Sequence, residues 1–357
     1  MNIRFSAIAI VATMVLASFM FGAGPALSDT PVAVTAISFS PDGTRLAIGT
    51  SGQVLIYNTV DWQLLSSYTK VEDTVRSLAW KPDGTVLAIG CGTASESGTL
   101  LLWTVASDAP PTALKLQQDT IESIAFSKNG TAMLVGANDN KVRCITYPPS
   151  TDSQVLDEHN GRVTAVAYPI NDTGLFATGG MDKMVKVWDE KTRKPLVNFD
   201  TAEAGITGLA FLPNGTQFIG SSLDGRVYWW QVYKNQKTQQ WGGYKFRQID
   251  AHDGGVNCLA ASGDLKRFIT GGENTQTAVW DSENGNRRKL FHDATQPIYA
   301  VALNTTGSIG ASGGRQGTVW VWEVDKDALL TTIVLPSLPK RAQPPAKTNS
   351  KPNKKRT

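Results

Sequence analysis

Short runs of alternating apolar and polar residues recur along the chain, each followed by a turn rich in Gly, Asn or Asp. Seven of these runs align with one another, and they begin at Val34, Val75, Ile121, Val163, Ile206, Val256 and Ile298. Successive starts lie 41, 46, 42, 43, 50 and 42 residues apart. Alternation with a period of two indicates half-buried strands, and recurrence at a near-constant spacing indicates a repeat architecture.

Three further runs follow the first in every unit. The third run ends in an aromatic residue in six of the seven units, and these residues are Tyr57, Trp103, Trp188, Trp230, Trp280 and Trp322. Ile145 stands at that position in the third unit. Four strands in about 40–45 residues, repeated radially, are typical of a propeller blade. The pattern therefore predicts an all-β fold, a seven-bladed β-propeller of four-stranded antiparallel blades.

The first strands can be compared position by position. Their first position is always Val or Ile, and their third and fifth positions are mostly Ala, Ser, Gly or Cys, which suits innermost strands converging on a narrow axis. The second position is instead polar and variable. Its residues, called column two below, are Thr35, Arg76, Glu122, Thr164, Thr207, Asn257 and Tyr299.

The third strands of two units end in the tripeptide "VWD", at residues 187–189 and 279–281. With the seven-fold period, this signature resembles the WD-repeat propeller family, and the resemblance covers residues 32–335. The resemblance implies a hydrogen-bonded network of a His before the first strand, a Ser or Thr in the second, an Asp in the next turn and a Trp in the third. The matching residues are His159, Thr178, Asp182 and Trp188 in unit four, and His252, Thr270, Asn274 and Trp280 in unit six.

A hydroxyl, an imidazole and a carboxylate are also the parts of a nucleophilic active site. A catalytic set would occur once, whereas this set recurs in degraded form. Unit five has Gly220, Asp224 and Trp230 without the His, and unit seven has Ser312, Gln316 and Trp322 without it. We therefore predict a structural network and no catalytic residues.

The two ends of the chain differ from its body. Residues 1–28 have a basic start, an apolar run and small residues before Asp29, which is typical of a secretory signal peptide; an uncleaved membrane anchor is the alternative. Residues 29–335 form the predicted propeller. Residues 336–357 hold seven Lys or Arg, five Pro and no acid, which predicts a disordered basic tail. We expect an extracytoplasmic location, periplasmic or secreted, with membrane contact only if the signal is uncleaved.

Function is expected at column two, near the mouth of the central channel, because packing of apolar side chains does not explain its polar residues. A ring of mixed hydrogen-bonding groups suits a protein or peptide partner, although the same groups would also line a water-filled channel. Two insertions interrupt the period, at residues 90–99 and 231–250. The second mixes basic and aromatic residues, which also suits single-stranded nucleic acid, but an exported protein makes a long hairpin the better interpretation.

The sequence therefore predicts an exported, non-enzymatic scaffold that binds protein or peptide on one face. It predicts no cofactor, no metal and no nucleic-acid partner; the basic tail suits an anionic surface or no specific partner. The alternatives are a lactonase-like hydrolase with a metal in the channel and a quinone-cofactor dehydrogenase. Only three His and three Cys occur, far apart in sequence, and the channel ring offers few carboxylates for a hard cation.

Overall fold

The computed structural model describes residues 32–117, 119–149 and 153–336. The predicted signal segment and the predicted tail beyond Pro336 lie outside these residues. The described part contains no helix long and apolar enough to cross a membrane.

The described residues form 28 strands, and every four consecutive strands make one antiparallel sheet. Blade one comprises β1 (Val34–Phe39), β2 (Arg45–Thr50), β3 (Val54–Asn58) and β4 (Leu64–Tyr68). Blade two comprises β5 (Thr74–Trp80), β6 (Val86–Thr93), β7 (Ser97–Thr104) and β8 (Thr112–Gln117). Blade three comprises β9 (Ile121–Phe126), β10 (Ala132–Ala137), β11 (Val142–Thr146) and β12 (Gln154–Leu156).

The remaining blades follow the same order. Blade four comprises β13 (Val163–Ala167), β14 (Leu175–Gly180), β15 (Val185–Asp189) and β16 (Pro195–Phe199). Blade five comprises β17 (Ile206–Phe211), β18 (Gln217–Ser222), β19 (Arg226–Lys234) and β20 (Trp241–Asp250). Blade six comprises β21 (Val256–Ala261), β22 (Arg267–Gly272), β23 (Thr277–Asp281) and β24 (Arg287–Phe291). Blade seven comprises β25 (Ile298–Leu303), β26 (Ile309–Gly314), β27 (Thr318–Glu323) and β28 (Ala328–Val334). The predicted seven-bladed all-β propeller is confirmed.

The core lies between neighbouring blades, where β-branched side chains of one inner strand meet small residues of the blade before it. The Val or Ile that opens each aligned run is fully buried, and at six of the seven blade junctions a glycine of the preceding second strand packs against it. Between blades five and six, Ser221 stands at the glycine position. A Cβ on Gly49 would lie 2.5 Å from Cγ1 of Val75, and one on Gly179 would lie 2.7 Å from Cγ2 of Ile206. The backbone at Gly49 and Gly179 therefore lies too close to the next blade to accommodate any side chain larger than hydrogen.

The ring closes through the same kind of contact. A Cβ on Gly313 in β26 would lie 2.6 Å from Cγ1 of Val34 in β1, and Val34, Val319 and Ile333 belong to one buried cluster. Thr305 Oγ1 also donates to the Pro41 carbonyl at 2.7 Å. Blade seven ends with its own β28, and within the described residues no strand preceding β1 enters it. Side-to-side packing of blades one and seven therefore closes the ring.

The two insertions lengthen strands. In blade two, β6 and β7 pair as far as Thr93 and Ser97, so most of the first insertion is sheet rather than turn. In blade five, β19 and β20 pair from Arg226–Asp250 to Lys234–Trp241. The second insertion is thus the long hairpin that the sequence suggested.

Candidate functional site at the channel mouth

His159 joins the loop before β13 to the turn after β14. Its Nδ1 lies 2.8 Å from Asp182 Oδ2, and its Nε2 lies 2.8 Å from Thr178 Oγ1. Trp188 Nε1 donates to the same Oγ1 at 2.9 Å. Because a carboxylate only accepts, Nδ1 carries the proton and the Thr178 hydroxyl donates to Nε2. A hydroxyl that is 0% exposed and bonded on both sides serves as a structural clip rather than a nucleophile.

The Asp182 carboxylate completes this chain in its charged form. Burial alone would raise the pKa of Asp182, but hydrogen bonds from His159 and from the backbone N–H groups of Asn160 and Met184 together lower it below its usual value. Gly161 allows the close approach, since a Cβ there would lie 2.7 Å from the Asp182 nitrogen. The network therefore ties two strands, a turn and the preceding loop together.

Blade six repeats the arrangement with an amide in place of the carboxylate. His252 Nδ1 lies 2.9 Å from Asn274 Oδ1, its Nε2 lies 2.8 Å from Thr270 Oγ1, and Trp280 Nε1 donates to that Oγ1 at 2.8 Å. Burial lowers the pKa of His252, with nearby Arg287 lowering it further, while Asn274 and Asp253 oppose the shift. This shift favours the uncharged imidazole of His252 at neutral pH.

This shift predicts a loss of stability in mild acid. A histidine whose pKa is lower in the folded state contributes stability that is lost as the pH falls from its unfolded pKa of about 6.5 through the folded value. We expect the free energy of unfolding of the wild type to fall more steeply below about pH 6.5 than that of His252→Gln. Denaturant titrations of both proteins between pH 8 and pH 5 measure the difference, and parallel curves would contradict it.

In blades five and seven, the buried tryptophan of the third strand donates its indole N–H to a different acceptor. Trp230 Nε1 donates to Thr201 Oγ1 at 2.9 Å, and Trp322 Nε1 donates to Asp293 Oδ2 at 2.8 Å. Thr201 and Asp293 both stand five residues before the first residue of the inner strand, and a buried alanine follows each. Neither acceptor was predicted from the sequence, because both stand one position further from the inner strand than His159 and His252 do. Aligning the loops that precede the inner strands, position by position back from the strand start, would have revealed both acceptors.

Column two owes its orientation to a β-bulge that recurs in all seven blades. In blade one, Val34 pairs with Thr50 and Ala36 pairs with Gly49, so Thr35 is the extra residue. The same shift leaves the column-two residue unpaired in each of the other six inner strands. A bulge redirects a side chain away from strict alternation, so the residue after the strand start points to the channel mouth.

All seven column-two residues line one cavity of about 500 Å³ at this mouth. Ala33, Arg162, Met181, Leu223 and Cys258 complete its wall. Arg162 and Ala33 directly precede inner strands, while Met181 and Leu223 directly precede the turn acids Asp182 and Asp224. Sequence reasoning missed these four, although the same register of the repeat places each of them beside the mouth. Below, the channel mouth means this cavity.

Four of the seven column-two residues tie neighbouring blades together. Thr35 donates to the carbonyl of Val75 at 2.5 Å, and Thr207 donates to that of Val256 at 2.7 Å. Asn257 Nδ2 donates to the Ile298 carbonyl at 3.1 Å. Thr164 donates to the carbonyl of Ile206 in the same way. Each acceptor is the Val or Ile that opens the next aligned run, so these four side chains have a structural role that the sequence did not indicate.

Arg76, Glu122 and Tyr299 differ from these four. Within the part of the chain that the structure describes, their side chains form no hydrogen bond and no close ion pair. Tyr299 is 40% exposed. Burial raises the pKa of Glu122, and the positive charges of Arg76 and Arg162 act in the opposite direction. The mouth therefore combines two guanidinium groups, one carboxyl group and one phenol, which are available to a ligand.

Within the described residues, no group of three or more His, Cys, Asp or Glu side chains is close enough together to hold a metal ion. Cys91 and Cys144 are buried thiols, and Cys258 is half-buried at the mouth. Burial raises the pKa of Cys258 to about 12, with the Gly271 backbone acting weakly against the shift. The three cysteines therefore serve as small, mainly apolar residues.

Comparison with known proteins agrees with the repeat. The family model "WD40: WD domain, G-beta repeat" matches residues 27–58, 62–104, 150–189, 193–231, 243–281 and 285–323. Most of these segments run from the outer strand of one blade to the third strand of the next. The inner three strands of blade three lie between matches, where Ile145 replaces the aromatic residue.

The individual relatives share low sequence identity with this chain and match it over only part of their own length. A guanine nucleotide-binding protein subunit beta of Oryza sativa subsp. japonica is 24% identical over 68% of this chain and 66% of its own length. A 66 kDa stress protein of Physarum polycephalum is 34% identical over 35% of this chain and 20% of its own length. Angio-associated migratory cell protein of Homo sapiens is 26% identical over 46% of this chain and 36% of its own length. The chain thus spans less than two thirds of these relatives.

The family assignment rests on the repeats rather than on any one relative. The six matched segments together cover well over half of the 357 residues, and they recur with the same four-strand period as the observed blades. The chain belongs to the WD40-repeat family.

Proposed function

We propose that this protein is an exported, non-enzymatic scaffold that binds a segment of a partner protein at the channel mouth. The observation that carries the proposal is the convergence of one polar side chain from each of seven blades on a single cavity of about 500 Å³. A cavity of this size takes several residues of a peptide or one protruding loop.

Three side chains are the binding residues we propose. Arg76 and Glu122 offer opposite charges to polar groups of a partner, and Tyr299 offers an exposed ring with a hydroxyl at its tip. Arginine and tyrosine are enriched among residues that dominate binding energies. The other four column-two residues have a structural role, because their side chains donate hydrogen bonds to the next blade. They are Thr35, Thr164, Thr207 and Asn257.

The similarity to a guanine nucleotide-binding protein subunit beta, whose name describes one subunit of an assembly, supports a role in protein assembly. The proposed export rests on the signal-like residues 1–28. No catalytic arrangement is proposed, since the two hydroxyl–imidazole pairs are enclosed in structural networks.

We expect the triple variant Arg76→Ala, Glu122→Ala, Tyr299→Ala to lose binding while keeping its fold. Peptides selected from a displayed library on the full-length wild type would bind the variant at least tenfold more weakly, which is about 1.4 kcal/mol. Isothermal titration calorimetry measures this difference, and capture of partners from the exported fraction extends it to native proteins.

A matched control removes one cation, one anion and one apolar side chain elsewhere. Lys115, Asp108 and Leu65 are exposed in blades one and two and lie away from the mouth. Replacing these three by alanine should leave binding unchanged. If the selected peptides bind the mouth variant as tightly as the control variant, the channel mouth is not the binding site.

A further inference from the structure

The hairpin β19–β20 of blade five is the longest in the described part of the chain. Its strands span nine and ten residues, whereas the outer strands of the other blades span three to seven. Successive turns of an antiparallel sheet alternate between its two ends. The β18–β19 turn carries Asp224 at the channel-mouth end, so the β19–β20 turn lies at the opposite end of the blade.

Three aromatic side chains form an exposed strip on this hairpin. Tyr233 is 49% exposed, Tyr244 is 54% exposed and Phe246 is 38% exposed. The ring centroids of Tyr233 and Tyr244 lie 6.3 Å apart, and those of Tyr244 and Phe246 also lie 6.3 Å apart. Three large rings that contact one another in series and are open to solvent make an apolar patch that monomeric proteins usually bury, unless it serves a binding purpose.

The hairpin is also strongly basic. Residues 231–249 contain Lys234, Lys237, Lys245 and Arg247 and no acid, while residues 1–335 as a whole hold 27 basic and 31 acidic side chains. Lys245 and Arg247 lie 5.4 Å over the Tyr228 ring and 5.7 Å over the Trp229 ring, so their charges are held in fixed positions. A basic surface on a net acidic body attracts a negatively charged partner.

The outer strand of the hairpin, β20, has one edge without a hydrogen-bonded strand beside it among the described residues. β20 is the last strand of its sheet, and among the described strands none pairs with its outer side. An unpaired edge offers backbone N–H and C=O groups to an extended peptide. The aromatic rings meet at interplanar angles of 54° and 65°. They form one irregular apolar strip instead of the parallel faces on which successive nucleic-acid bases stack.

We propose that the blade-five hairpin is a second docking surface, which binds an acidic, extended segment of a partner protein. The segment lies along β20, its apolar side chains contact the strip of Tyr233, Tyr244 and Phe246, and its carboxylates lie beside Lys234 and Lys237. The surface is at the opposite end of blade five from the channel mouth. It goes beyond the proposed function and does not depend on it, and two separate surfaces would allow the protein to hold two partners at once.

The test uses the full-length protein and a fluorescein-labelled peptide in which glutamates alternate with leucines. We expect binding by fluorescence anisotropy that weakens as salt rises. The charge-reversed variant Lys234→Glu, Lys237→Glu and the aromatic variant Tyr233→Ser, Tyr244→Ser should each bind at least tenfold more weakly. The mouth triple variant should bind like the wild type, which separates failure of this proposal from failure of the proposed function.

The matched control Lys115→Glu, Lys194→Glu reverses the same number of charges at exposed positions of blades two and four. It should retain binding. Equal losses in the control and in the hairpin variants would overturn the proposal, because the attraction would then be non-specific. Tighter binding of a labelled oligothymidine, lost in the same hairpin variants, would overturn it in favour of single-stranded nucleic acid.

Discussion

Thr178→Val is expected to lower the free energy of unfolding by about 2–4 kcal/mol. Valine keeps the shape of the side chain and its preference for strands, so the change removes little besides the hydroxyl. Trp188 Nε1 then loses its acceptor and His159 Nε2 loses its donor, at 2.9 and 2.8 Å respectively. Each group remains buried, and a buried polar group without a partner costs about 1–3 kcal/mol. Denaturant titration at neutral pH measures the change.

The same chain offers a matched control at the corresponding position of blade seven. Ser312 is also 0% exposed, but its Oγ has no hydrogen-bond partner, because Trp322 donates to Asp293 instead. Ser312→Ala should therefore change the free energy of unfolding by no more than about 0.5 kcal/mol, or raise it, since the lost group is a buried hydroxyl without a partner. If both substitutions lowered the free energy of unfolding equally, the hydrogen-bonded network around Thr178 would not be the source of the loss.

The repeat made most of the fold predictable. Seven aligned strand starts and the aromatic positions identified the blades, and in the structure Trp188 pairs with Phe176 and Trp280 with Phe268 at one shared register. These features were accessible because side-chain alternation and turn residues are local properties of the chain. The way the ring closes could not be predicted from such local patterns, because closure depends on contacts between residues about 280 positions apart, such as Gly313 and Val34.

The channel mouth was predictable only in part. The position of column two followed from the repeat, but the bulge that turns Thr35 into the mouth leaves no sequence signal of its own. The polar character of column two suggested that its residues bind a partner. In the structure, however, the hydroxyls of Thr35 and Thr207 donate hydrogen bonds to backbone carbonyls of the next blade. A single sequence does not distinguish a hydroxyl that faces a ligand from one that faces a backbone carbonyl, because both require the same residue types.

Gly313→Val is expected to open or strain the junction between blades one and seven, at a cost of about 3 kcal/mol. A Cβ at Gly313 would lie 2.6 Å from Cγ1 and 2.8 Å from Cβ of Val34, and neither is the end of a flexible side chain. Blade seven is completed by its own β28, so no exchanged strand compensates for a weakened contact. The loss should appear as a lower denaturation midpoint.

Gly310→Ala in the same strand separates this steric effect from the effect of replacing any glycine of β26. The nearest atoms to a Cβ there lie 3.4 Å away, which is ordinary van der Waals contact. Glycine within a strand costs roughly 0.5–1 kcal/mol relative to alanine, so this change should leave stability unchanged or raise it slightly. A ring held mainly by other contacts would tolerate both changes equally. A specific loss at Gly313 would instead establish that closure depends on the contact of a glycine with a β-branched residue, which five of the other six blade junctions also use.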